Sequence, residues 1–149
     1  GFHRDNIDRQ DLNGPDWQGE YPLIRIGIYL QDHKKYSGGL KVKKGTHLNA
    51  DGEAVFIDSE EGDVVLWSLK TLHSGNAVRL KFFPNYPIKT SGKEGIVPAF
   101  LKKDQQRERI SLFMTYALES SHMHHYIMNI RAREQTRSNT PKNRCMMMR

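Results

Sequence analysis

Cysteine is nearly missing from this chain. Cys145, in the terminal NRCMMMR, is the one thiol among 149 residues, so no intramolecular disulfide and no multi-thiolate zinc site can form. Long hydrophobic runs are missing too, and no stretch approaches the roughly eighteen apolar residues of a membrane span. The opening GFHRDNIDRQDLNGPDW lacks the basic start and apolar run of a secretory signal, and the expected setting is cytoplasmic. Internal repeats and low-complexity segments are absent apart from a polar, Met-ended tail over 137–149. The formal net charge of +6 comes from 23 Lys+Arg against 17 Asp+Glu, with much of the excess in RAREQTR and PKNR. Aromatics are not interleaved there for base stacking, so the charge reads as a solvated face and tail. Small anionic molecules are expected as partners before nucleic acid.

What is present reads as one domain, over 1–136. Residues 23–31, LIRIGIYLQ, alternate Ile24, Ile26, Ile28 and Leu30 against Leu23, Arg25, Gly27 and Tyr29, the period-two pattern of a sheet with one firmly buried face. HKKYSGG then reads as a turn in which Gly38 and Gly39 supply positive φ or a close approach, and LKVKKGTH as a second strand. AVFID and DVVLWSL are two more short strands around a SEEG turn, and ERISLFMTYAL over 108–118 is another. Short strands with glycine turns and no helices between them predict a sandwich or barrel. From Glu119 to about Arg133 the period changes: Met123, Tyr126, Ile127 and Ile130 recur at helical steps, predicting an amphipathic helix packed outside the sheet. Residues 81–106 hold three prolines and little periodicity, as lids and binding loops do.

The chemistry starts at FHRD. On an extended segment His3 and Asp5 point to one side, which gives two ligands for one metal. The third candidate is His73, set by TLHSGN directly after the strand DVVLWSL. Two histidines and one carboxylate on one face leave coordination positions open, as in non-haem Fe(II) oxygenases. A 2-oxo acid chelates two of those positions and O2 takes the third, and the far carboxylate of such a co-substrate needs a buried cation. Arginine suits it because its planar fork pairs bidentately. Arg107 and Arg109, two apart in QQRERISLFMTY, are the candidates.

IRIGIYLQDHKKYSGGLKVKKGTHL, then EEGDVVLWSLKTLHSGN, then RERISLFMTYA together resemble the phytanoyl-CoA dioxygenase family of Fe(II)/2-oxoglutarate oxygenases. The likeness runs from about residue 2 to residue 118. It implies a mostly β, double-stranded β-helix (jelly roll, cupin-like) fold with a C-terminal helix, and His3, Asp5 and His73 as iron ligands. Arg107 corresponds to the family's co-substrate arginine by its distance from Ser111; Arg109 has the R-x-S spacing of other oxygenases of this fold. The resemblance also implies that the chain starts inside its domain, after an N-terminal part and an opening strand, so that a sheet edge is exposed which a homodimer would cover. Gly27 stands near a position where family members often carry Trp. Asp5 is a carboxylate where halogenating relatives have a small residue, so hydroxylation of a small organic or lipid-like substrate is favoured. Two other readings stay open: a non-catalytic cupin-like binding module, and a nucleic-acid or protein demethylase of the same fold.

Among the remaining residues, Asn76 follows the distal ligand and either bonds the co-substrate or closes a turn. Trp17 and Tyr21 are candidates for the substrate wall, while Trp67 reads as core. His47 in GTH is expected to bond loop backbone, His33 to be solvated, and Asp63 to serve the turn before its strand. His122, His124 and His125 lack the i, i+4 spacing of a helical metal pair and read as surface or packing residues.

Overall fold

The period-two segment becomes β1 (Leu23–Tyr29). It lies between two antiparallel neighbours, with Gly27 opposite Val65 on one side and Phe113 on the other. The computed structural model describes residues 1–88, 91–105 and 110–139. In chain order the further elements are β2 (Gly39–Lys43), β3 (Ala54–Phe56), β4 (Val64–Ser68), β5 (His73–Ala77), α1 (Ser91–Ile96), β6 (Ser111–Ala117) and α2 (Ser121–Asn139). They form two antiparallel three-stranded sheets, β4-β1-β6 and β3-β2-β5, and every connection between successive strands except β2–β3 crosses from one sheet to the other. The chain is thus mostly β with a C-terminal helix, as expected.

Tyr29 of β1, Trp67 of β4 and Leu40 of β2 pack together between the sheets, with Val42, Ile57 and Val65 against them. The buried face of β1 is therefore the one carrying Leu23, Gly27 and Tyr29. The isoleucines lie on the other face and are only partly covered, beside exposed Val64, Leu66, Leu112 and Met114. Alternation alone gives two faces; the partner sheet decides which is inner. The glycine pair is divided between both expected uses: Gly38 has φ 107, and a Cβ on Gly39 would lie 2.7 Å from the His33 Cβ. His33 is buried at 2% exposure rather than solvated, with its ring edge-on to Tyr29 at 5.3 Å.

Two elements escaped the sequence. β5, HSGNA, has the composition of a turn and becomes a strand because β2 pairs with it. The described part of 81–106 holds α1, and on the outer face of β2 the buried Lys41 Nζ donates to Ile88 O (3.0 Å) and Glu94 Oε1 (2.6 Å). α2 runs to Asn139, beyond the expected end near 133. Ser120 Oγ accepts the Met123 N–H at its start, and Tyr126 buries itself against Leu23 and Leu69. Among the described residues no helix is long and apolar enough to cross a membrane.

Candidate metal centre

The first residues are held as an extra edge beside β5. His3 and His73 exchange both backbone hydrogen bonds, each at 2.9 Å, and the Asp5 N–H donates to Leu69 O at 2.9 Å. Directly paired residues point to one side of a sheet, so the two imidazoles meet, and Asp5, two residues on, joins them. Arg4 points the opposite way and fixes the register. Its guanidinium is buried and donates to the carbonyls of Lys70, Thr46, Asn49 and Ala50. Thr46, fully buried, donates to Lys43 O (2.7 Å) and accepts the Leu72 N–H (2.9 Å), which holds the residue before His73. In the GTH turn the anchoring residue is therefore Thr46, while His47 is exposed.

Asp5 lies between the rings: Oδ1 is 3.8 Å from His3 Nε2, and Oδ2 is 3.6 Å from His73 Nε2. The ring centroids are 4.4 Å apart. The tautomers follow from the other nitrogens. His3 Nδ1 faces Gly1 O at 2.9 Å and His73 Nδ1 faces Thr71 O at 3.0 Å. A carbonyl only accepts, so each Nδ1 carries the proton and each Nε2 turns a lone pair toward the carboxylate. Burial pushes the His73 pKa below its ordinary value, partly offset by Thr71 O and Asp5, and so favours the neutral, ligating form. Two imidazole nitrogens and a carboxylate oxygen, each imidazole held by a backbone carbonyl, fit a divalent first-row metal.

The sequence did not single out Arg25. From β1 it donates to Asp5 Oδ2 through Nη2 (2.7 Å) and Nε (3.2 Å), and through Nη1 to Thr115 Oγ1 on β6 (2.8 Å). Oδ2 is thereby taken, and Oδ1 accepts no bond from the fork. Arginine on an inward-facing strand position was the available signal. Beside this group lies a cavity of about 330 Å³, walled by Tyr29, Leu40, Trp67 and Phe113. Gly27 makes room for it: a Cβ there would lie 3.0 Å from both Phe113 Cε1 and Trp67 Cζ3.

Of the expected site residues, His3, Asp5 and His73 come together. Asn76 lies on β5, and nothing is described of its side chain. Arg107 and Arg109 lie outside the described residues. Trp17 and Tyr21 do not line the cavity. Trp17 donates Nε1–H to Asp8 O (2.9 Å) beneath Arg4 and Lys70, and Tyr21 packs beside the Leu23 cluster. Trp67 is core, as expected, and also a cavity wall. Asp63 serves its turn by accepting the Glu60 N–H at 2.7 Å. None of the described residues of 81–106 lines the cavity; Ile88 and Glu94 meet Lys41 on the outer face of β2. Comparison with protein-family models, curated proteins and solved structures finds no match.

Proposed function

We propose that this chain is the β-rich part of an Fe(II)/2-oxoglutarate-dependent dioxygenase of the phytanoyl-CoA dioxygenase type, with a double-stranded β-helix fold. The observation that carries the reading is the convergence of His3 Nε2 and His73 Nε2 on the Asp5 carboxylate, with both Nδ1 protons fixed by backbone carbonyls. His3, Asp5 and His73 would hold the iron, and Arg107 or Arg109 would hold the far carboxylate of 2-oxoglutarate. The bound metal and co-substrate supply an oxidant derived from O2 that removes hydrogen from an unactivated C–H bond.

The chain's own residues do the rest. Arg25 fixes the Asp5 carboxylate through Oδ2, so that Oδ1 faces His3 and Oδ2 faces His73. The aromatic and aliphatic walls orient a small or slender apolar substrate, a cavity of about 330 Å³ being at the small end of ligand sites. An apolar wall beside a two-histidine carboxylate cluster suits hydroxylation of a small organic or lipid-like molecule.

The test is anaerobic addition of ferrous iron and 2-oxoglutarate to the purified chain. A weak visible charge-transfer band is expected in the parent and not in His73→Ala. Metal binding without that band supports a cupin-like binding module instead. Salt-dependent binding of DNA or RNA would favour a nucleic-acid demethylase.

A further inference from the structure

A second cluster of metal-ligating groups lies away from the first centre, where the loop after Asp5 meets α2. Asp8, Asp16 and His125 each bring one ligand atom within 4.8 Å of the others. Asp16 is 1% exposed. Its Oδ2 is saturated, accepting from Ile7 N (2.8 Å), Asp8 N (3.1 Å) and Asn6 Nδ2 (3.2 Å). Its Oδ1 is buried, accepts no hydrogen bond, and faces α2, 3.8 Å from His122 Nδ1. A carboxylate oxygen buried without a donor is costly, and such a group calls for a proton or a cation.

The histidines are arranged to supply the rest of a cation shell. His122 and His125 are three apart and share one face of α2. His122 Nε2 lies 3.2 Å from Gln18 O, a pure acceptor, so Nε2 carries the proton in the neutral ring and Nδ1 turns a lone pair toward Asp16 Oδ1. With the ring in that neutral form, two acceptors face one another across the gap. Asp8 Oδ2 already accepts the Asp16 N–H (3.0 Å), which leaves Oδ1 available.

We propose that Asp8, Asp16, His122 and His125 form a divalent-cation site of the zinc class, joining α2 to the loop that carries the first two ligands. Asp8, Asp16 and His125 bring three ligand atoms together, and His122 Nδ1, 3.8 Å from Asp16 Oδ1, would supply the fourth; a tetrahedral shell closed in this way would be structural rather than catalytic. The positive end of the α2 dipole opposes a cation here, but two carboxylate charges outweigh it. Bound metal would hold Asp16, and through its bonds to residues 6–8 the segment immediately after Asp5. The proposal does not depend on the oxygenase reading.

The experiment uses chelator-stripped protein and ZnCl2, with stoichiometry from equilibrium dialysis and Tm from calorimetry. His73→Ala removes the first centre. In that background one equivalent of zinc and a zinc-dependent rise in Tm are expected. Adding His125→Gln, at an exposed position that does not threaten folding, should weaken binding at least tenfold and abolish the rise. The neighbouring His124→Gln should leave both unchanged. The proposal is overturned if His73→Ala takes up no zinc while the parent takes one equivalent, since only the first centre then binds. It is also overturned if His125→Gln binds as tightly as its parent, or if His124→Gln is the variant that loses the ion.

Discussion

Replacing Arg25 by lysine isolates what its fork does for Asp5. Lysine keeps the positive charge, so repulsion between position 25 and a bound cation is unchanged to first order. What is lost is geometry: one ammonium cannot reproduce two N–H bonds to Oδ2 and a third to Thr115 Oγ1. With the carboxylate free to rotate, its oxygen must be ordered when metal binds. Loss of a partner that orients a ligand typically costs about 10–100-fold in metal affinity, or roughly 1.4–2.8 kcal/mol at about 1.4 kcal/mol per tenfold. Methionine would be the poorer choice, because it removes the repulsion as well and mixes two opposed effects. The lost bonds should lower stability by about 1–3 kcal/mol, which a domain of ordinary stability survives. Competition titration with Mn(II), as an oxygen-stable stand-in for Fe(II), reads the affinity. If Arg25→Lys binds within threefold of the parent while His73→Ala loses one bound ion, the fork does not position Asp5.

Three further outcomes follow from the same geometry. Burial holds the folded pKa of His73 below its unfolded value of 6.5, so the unfolded chain binds the extra proton. Stability of the metal-free chain should therefore be full above pH 6.5 and fall as pH drops through the folded value; urea midpoints against pH should show the slope, and His73→Gln should flatten it. Thr46→Val leaves the Leu72 N–H and Lys43 carbonyl without their hydroxyl partner in a fully buried position. It should cost about 1–3 kcal/mol in urea unfolding, and a neutral result would contradict the hydrogen-bond assignment. Gly27→Ala drives a methyl against Phe113 and Trp67. Because Phe113 is half exposed and can yield, a loss near 1 kcal/mol is expected, at the low end for overpacking, and an unchanged or raised Tm would show that the cavity wall is looser than drawn.

Sequence by itself determined the local chemistry and most of the strands. Periods of two and of three to four belong to the backbone geometry of strand and helix, so β1, β2, β3, β4, β6 and the start of α2 could be read directly. Residues two apart on an extended chain share a side, so His3 and Asp5 could be paired before any fold was known. Tertiary structure decided what depends on a distant partner. β5 is a strand because β2 supplies its hydrogen bonds, since HSGNA carries no propensity to announce it. The leucine, glycine and tyrosine face of β1 became the inner one because the second sheet covers it, a choice that alternation leaves symmetric. Arg25 reached Asp5, and Asp16 was buried facing His122, through contacts made 20 and 106 residues apart along the chain. No periodicity records such distances, because chain folding rather than local backbone geometry sets which side chains meet.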